Sequence, residues 1–398
     1  MYKLVFVTSG YPPFRGYHCH RSLLTLKDIF DITVISFRAL GPNKLVKKYY
    51  NVDGISVVQI PFPIVPGYNK NIKLVKFGSY LTFPLIKEIL DSATILEGGA
   101  IYTSGMVLKK WVEISGRKDV PLICDAIGDD VKVDLPKLKA EERNKLVNWF
   151  DCILCNSKDM SEQIRRLCDR TPLILEAYRG VDFEMFHPEV EPKGPFLGRP
   201  YPRFLYLGGF PLIINRNSAK DVKGGIYLLE AWKIFERIPG SGHLIIGGPN
   251  SDCQFVKDWK DSLLNPERVA IVGKLKAEEV PNYIKGVDVV VIPSLSEGLP
   301  NLANESQACG TPVLGTDAGG IPETVENFNS GLIVKRESVG ELLNGLLWFS
   351  SKNWDEIKKM GGYCHQRIKN LFPWSRYRDT ALKGYSYALR KKGIRIDF

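Results

Sequence analysis

No stretch of the chain is long and apolar enough to cross a bilayer. Its opening residues, MYKLVFVTSGYPP, lack the apolar core and small-residue cleavage site of a secretory leader, so the chain reads as cytoplasmic. The cysteines number eight and are scattered. The one close pair, Cys152 and Cys155, lies inside an apolar strand pattern with no second pair at zinc-binding spacing. Buried, reduced thiols explain this pattern better than metal or redox chemistry. No basic segment is interleaved with aromatics, so nucleic acid is not expected as a partner. No G-x-G-x-x-G follows the first strand pattern, KLVFVT, which disfavours a simple dehydrogenase. Acidic residues are sparse at the start. Residues 1–120 hold 8 Asp and Glu against 16 Lys and Arg, which is most of the net charge of +10.

What is present is the composition of an ordinary globular protein. The 398 residues are 44% hydrophobic and 25% charged, enough for two domains. The basic surplus favours an anionic partner, either a membrane face or a phosphate-bearing acceptor. Lys70, Lys73 and Lys76 recur at helical spacing within 67–90. They read as an amphipathic segment that meets anionic lipid, or as a solvated lysine face on a core helix; the second pattern is the commoner.

The chain is organised around residues 293–325, PSLSEGLPNLANESQACGTPVLGTDAGGIPETV. A strand ends at Ser294 and a tight turn carries Glu297 and Gly298. A short helix follows, with Pro300 near its first position and Gly310 just past its end, the usual punctuation of a helix. The first turn of such a helix offers unpaired N–H groups and the positive end of its dipole, a setting for phosphate. Helical side chains lean back toward the N-terminus, which aims Glu305 at the same place. Two carboxylates beside a phosphate cradle suit sugar hydroxyls, because each accepts two hydrogen bonds. Taken alone, a pair of glutamates at this spacing is more often two solvated side chains on a packing helix.

With its flanking motifs this stretch resembles the retaining glycosyltransferases of family 4, whose signature is E-x7-E followed by A-C-G-x-P-V and G-G-x-x-E. Here these are Glu297, Gly298 and Glu305, then Ala308 to Val313, then Gly319 to Glu323. The resemblance implies the GT-B architecture, an α/β fold of two Rossmann-like, doubly wound domains facing an interdomain cleft. Residues 1–195 would form the acceptor domain and 196–373 the nucleotide-sugar donor domain. The Pro- and Gly-rich residues 191–202 would form the boundary, and a helix over about 374–398, opened by Trp374, would return to the first domain.

The same resemblance implies the site. Glu297 would hold the transferred sugar and Glu305 the ribose hydroxyls. Lys223, in a Lys-Gly pair before the helix IYLLEAWKIF, would neutralise the diphosphate, and Glu297 and Lys223 are the expected catalytic pair. The backbone of Gly298, Leu299, Asn301 and Leu302 would face the leaving phosphate, while Pro300 has no N–H to give. Lys274 and Leu275 would lie near the base, and Gly16 and Gly209 in the glycine turns of the two domains. Where the family has Gly-Arg, Gly209 stands in the arginine's place, and Arg216 is the substitute cation. The family's paired glycines become Arg15-Gly16, its His-Asp pair becomes Gly128-Asp129, and its N-G-V-D becomes Arg179-Gly180-Val181-Asp182. Arg15, Asp125 and Asp129 are the acceptor-side expectations. Asp125, Asp129 and Asp130 read either as a divalent-ion cluster or, better, as loop and cap residues.

The expected activity is transfer of a sugar from a nucleoside-diphosphate sugar to an acceptor, lipid-linked or a glycan. No cofactor and no metal are expected, because cations and a helix end replace them. Peripheral contact with the inner membrane face accompanies this reading. Two rivals stand beside it, a nucleotide-sugar epimerase of the same architecture and a non-catalytic protein that binds a sugar nucleotide or a membrane.

Overall fold

The structure is a computed structural model that describes residues 2–13, 16–39, 46–63, 72–211 and 221–395. Contacts divide the chain into two compact units, Met1–Gly180 with Trp374–Phe398, and Val181–Pro373. The division falls at Gly180, ahead of the Pro- and Gly-rich residues 191–202. That segment belongs to the second unit, where Lys193 N–H donates to the Asn282 carbonyl at 2.9 Å.

In the first unit the strands are β1 (Tyr2–Thr8), β2 (Phe30–Ala39), β3 (Lys48–Val52), β4 (Ile55–Phe62), β5 (Ile95–Gly98), β6 (Leu122–Ala126), β7 (Cys152–Cys155) and β8 (Leu173–Glu176). Among the described residues they form one sheet of eight strands, ordered β3-β4-β2-β1-β5-β6-β7-β8. All neighbours are parallel except β3 and β4. The helices here are α1 (Tyr17–Leu24), α2 (Ile72–Asp91), α3 (Thr103–Ser115), α4 (Ala140–Val147) and α5 (Lys158–Leu167). Successive strand residues feed opposite cores, Val5 and Val7 one, Leu4 and Phe6 the other, as a sheet covered on both faces requires. Cys152 and Cys155 likewise enter opposite cores, so the C-x-x-C spacing does not bring two sulfurs together.

The lysine- and tyrosine-bearing run KYYNV forms a strand, β3. Its turn to β4 is Asp53-Gly54, both at positive φ (49° and 87°), the two-residue hairpin chemistry that fixes an antiparallel register. Gly16 takes φ +79°, where an added Cβ would stand 2.5 Å from the Gly10 carbonyl oxygen, and the first helix starts at Tyr17. Ser157 caps α5, accepting from Met160 N–H at 3.3 Å.

The second unit holds β9 (Arg203–Tyr206), β10 (His243–Gly247), β11 (Val269–Gly273), β12 (Val289–Ile292), β13 (Val313–Thr316) and β14 (Gly331–Val334). Its helices are α6 (Gly225–Phe235), α7 (Gln254–Asp261), α8 (Val280–Lys285), α9 (Asn301–Ala308), α10 (Ile321–Thr324), α11 (Val339–Ser350) and α12 (Trp354–Leu371). The strands form a parallel sheet ordered β11-β10-β9-β12-β13-β14 among the described residues. The order reverses between β9 and β12, the switch point at which open α/β sheets bind ligands.

The last helix, α13 (Trp374–Lys391), packs on the first unit. Tyr377, Ala381, Tyr385 and Ala388 enter the core that holds Leu4 and Phe6. Trp374 opens it against Gly180, where an added Cβ would meet the Trp374 nitrogen at 2.6 Å.

Candidate functional site

At the carboxyl ends of β9 and β12, the switch point of the second sheet, lies an open cavity of about 330 Å³. The strand ends contribute Gly208 and Ser294, the loop before α6 contributes Lys223, and the turn into α9 contributes Glu297 and Leu299 to Leu302.

Lys223 is placed by its neighbours. Gly224 takes φ +67°, and a Cβ there would stand 1.8 Å from the Pro293 carbonyl oxygen, so only glycine lets the start of α6 rest against the end of β12. Leu295 N–H donates to the Val222 carbonyl at 2.9 Å and ties the two loops. Lys223 Nζ then reaches Glu297 Oε1 at 2.7 Å. The buried Ser294 hydroxyl donates to that same oxygen at 2.7 Å, which leaves Oε2 of Glu297 for a ligand. Ser294 is fixed in turn, since the Thr316 hydroxyl donates to its carbonyl at 2.5 Å.

The two helix starts at the cavity differ. That of α6 is already occupied: Asp221 accepts from Ile226 N–H at 2.6 Å, and further N–H groups of residues 223 to 225 pull its carboxyl down against the burial that pushes it up. That of α9 has Pro300 at its cap and no side-chain cap. Asn301 and Leu302 therefore present the amide end that suits an anion. Glu305 follows Asn301 by four residues, on the same face of α9. Burial pushes its carboxyl up to about 7, and its carboxylate has no polar partner among the described residues.

Of the residues expected at a donor site, Lys223, Glu297, Leu299, Asn301 and Leu302 line this cavity. Gly298 sits behind it and accepts from Gly320 N–H at 2.9 Å, which joins the G-G-x-x-E turn to the site. Glu305 lies one turn deeper. Gly209 supports the floor: its φ is +70°, Tyr206 Oη donates to its carbonyl at 2.6 Å, and a Cβ would clash with Pro249. Lys274 and Leu275 follow β11, an edge strand two places from β9, and do not line the cavity. Arg216 and Arg15 lie outside the described residues. Sequence reasoning missed Ser294, Tyr206 and Gly208. The signal for Ser294 was its place between the end of β12 and Glu297.

The carboxylates of the first unit do not converge on open space. Asp125 is 3% exposed and its Oδ2 accepts from Arg179 Nη2 at 2.9 Å, so in place of a polar lining it forms an internal ion pair. Arg179, the departure from the N-G-V-D pattern, is its partner. Asp130 is buried and caps backbone N–H groups of Ile101 (3.0 Å) and Gly128 (2.9 Å). Asp129 is exposed at the cap position before it, and Gly16 precedes the first residue of α1. The reading of these aspartates as loop and cap residues is the one the geometry favours over an ion cluster. Beneath them Glu97, fully buried on β5, takes the Tyr385 hydroxyl at 2.5 Å. Burial, then the Asp125 charge, holds the Glu97 carboxyl well above the ordinary range.

Residues 207–367 match the family described as glycosyl transferases group 1. D-inositol 3-phosphate glycosyltransferase of Mycobacteroides abscessus is 26% identical over 270 residues, 64% of this chain and 56% of that protein. The Mycobacterium marinum protein of the same name is 26% identical over 264 residues, 64% of this chain and 54% of that one. The chain thus spans about half the length of the curated relatives it matches. Among solved structures, sucrose-phosphate synthase from Thermosynechococcus elongatus superposes with a TM-score of 0.77 at 17% identity, covering 98% of this chain and 100% of that one. An Anabaena protein in complex with UDP and glucose gives 0.69 at 15% identity, covering 97% and 100%. The fold is therefore GT-B, with two parallel-sheet α/β units.

Proposed function

We propose that this protein is a glycosyltransferase of family 4 that moves a sugar from a nucleoside-diphosphate donor to an acceptor hydroxyl with retention of configuration. The observation that carries the reading is the meeting of Lys223, Ser294 and Glu297 beside the uncapped start of α9, at the switch point of the second sheet. This is the segment that matches glycosyl transferases group 1, and a structural neighbour was solved with UDP and glucose.

In this reading the bond between the anomeric carbon and the diphosphate oxygen breaks as the sugar becomes oxocarbenium-like, and the acceptor oxygen bonds to that carbon as its proton passes to the departing diphosphate. Negative charge grows on the leaving diphosphate. Lys223 and the amides of Asn301 and Leu302 stabilise it, and a fixed cation and fixed dipoles do so without reorganising during the reaction. These groups take the role a metal has elsewhere, so the reaction is proposed to be metal-independent. Glu297 Oε2 accepts a sugar hydroxyl, and Glu305 accepts the ribose hydroxyls. The acceptor is a lipid-linked molecule or other glycan handled on the cytoplasmic side.

The test is transfer by the purified chain from a panel of nucleotide sugars to a hydroxyl acceptor, with and without chelator, and with the product anomer read by NMR. Loss of transfer in Lys223→Ala and Glu297→Gln, with retained configuration in the wild type, supports the proposal. An epimer formed from donor alone, or donor binding without turnover on any acceptor, favours one of the two rival readings.

A further inference from the structure

Helix α9 is held at both ends, and only its front end belongs to the cavity at the switch point. It is eight residues long, about 12 Å, and so short a rod carries a shift of one end to the other. At its rear the last carbonyls have no partner within the helix. That of Ala308 stands 2.7 Å from His365 Nδ1, on α12. A carbonyl can only accept, so Nδ1 carries the ring proton and donates it. That of Cys309 stands 3.5 Å from Lys285 Nζ, at the end of α8.

Helix α12 brings His365 there with little freedom. One turn earlier, Gly361 lies against Gly310, and a Cβ on Gly361 would stand 2.2 Å from the Gly310 carbonyl oxygen. Phe183 meets the His365 ring edge to face, with 6.4 Å between centres, which restricts the turn of the imidazole. Two residues further on, Arg367 donates to the carbonyls of Thr324 and, at 3.3 Å, of Glu323, at the end of α10. Gln307 of α9 donates to that same Thr324 carbonyl at 3.0 Å. The other side of α12 is fixed in the core, where Ile357, Met360 and Cys364 are buried with Leu314 and Leu346. Helices α9 and α10 thus both end on one helix that the core holds in place.

We infer that His365 is a positioning residue for the donor cavity, acting through the Ala308 carbonyl. Its bond sets how far forward α9 stands. With that it sets the places of Glu305, one turn ahead, and of the Asn301 and Leu302 amides, two turns ahead. Lys285 does not set them, because a 3.5 Å contact from a flexible ammonium stem leaves room for movement that a ring nitrogen at 2.7 Å does not. Small displacements of those amides matter, since charge on a leaving diphosphate is stabilised by donors already in place. The inference rests on the reading of the cavity as a donor site and adds a residue at the opposite end of the helix.

The test compares His365→Leu, which fills much of the ring's space without a donor, with His365→Asn, whose amide N–H takes the place of the ring Nδ1–H. In His365→Leu, kcat for sugar transfer is expected to fall about tenfold or more, with a smaller change in KM for the donor. Hydrogen exchange over 301–310 is expected to quicken there, at the Cys309 N–H that donates to Glu305 among others, while β12 and α12 keep their protection. His365→Asn is expected to recover most of both. A role in packing alone would lower the melting temperature of both variants and leave kcat per folded molecule unchanged. Wild-type kcat in His365→Leu, no recovery in His365→Asn, or a loss of kcat with unchanged exchange over α9 overturns the inference. Nitrogen NMR of the wild-type imidazole at alkaline pH reads the bond without any substitution, and an unprotonated Nδ1 overturns it too. If the wild type transfers sugar from no donor, the donor-site reading fails, and exchange over α9 in His365→Leu still decides whether His365 anchors that helix.

Discussion

Lys223 and Glu297, 74 positions apart in sequence, share one short contact, Nζ to Oε1 at 2.7 Å. The glutamate thus has two jobs in the proposed site: one oxygen holds the lysine and the other is left for sugar. Removing its charge should separate them. In Glu297→Gln the lysine loses its anionic partner and is free to turn to phosphate. Nucleoside-diphosphate affinity, measured by calorimetry, should stay equal or rise, while the rate of sugar transfer falls by about 10²–10³, the usual loss for one preorganised group. A parallel loss of nucleotide affinity would contradict this division.

Ser294 positions that glutamate from behind. Ser294→Ala removes one of the two donors to Oε1 and leaves the lysine in place. It should lower kcat by about tenfold, the worth of a hydrogen bond to a charged group, with little change in KM for the donor and in melting temperature. Thr at this position keeps the hydroxyl and should restore most of the rate.

Glu305 gives a pH signature. Burial lifts its carboxyl from the ordinary range to about 7. The folded state then holds the proton more tightly than the unfolded chain, so this group's stabilisation is full below the ordinary carboxylate range and is lost as pH rises through about 7. Donor binding should run the other way, because the ionised form accepts two hydroxyls. KM for the donor should therefore rise as pH falls below about 7, and Glu305→Gln should flatten that profile. A wild-type KM that stays constant between pH 5.5 and 8 would remove Glu305 from the donor site.

Arg179, Asp125 and Glu97 govern the first unit. Arg179→Met leaves Asp125 buried without its cation and should cost about 3–5 kcal/mol of stability, seen as a fall in the denaturation midpoint. Glu97, whose carboxyl burial holds well above the ordinary range, stabilises the fold at low pH, and that contribution is lost as pH rises through its folded value. Glu97→Gln should make the melting temperature less sensitive to alkaline pH than in the wild type, while keeping the bond from Tyr385.

Much of the site was legible because it is local. Glu297, the start of α9 and Glu305 are fixed within nine residues by helix punctuation and turn chemistry, and Lys223-Gly224 announces a helix start with a cation. The donors around them were not legible in the same way. Ser294 and Tyr206 each donate to a residue three positions on, Glu297 and the Gly209 carbonyl, but neither spacing is a cap or turn signature that marks the donor in advance. Strand β3 was hidden by its lysines and tyrosines, although Asp53-Gly54 carried the hairpin signal.

The sequence by itself determined the alternation of strands and helices, the two-unit α/β class, and the glycines at 16, 209 and 224 without which the turns cannot close. These follow from periodicity and φ restrictions, which act over a few residues. Only the tertiary structure decided which distant charges meet. Asp125 reads from the sequence as an open acid and becomes the buried partner of Arg179, because the ends of β6 and β8 are brought together by sheet order. The bond from His365 to Ala308 is of the same kind: helical period shows that a helix forms there, but which of its side chains meets the end of α9 depends on how closely Gly361 lets the two helices approach.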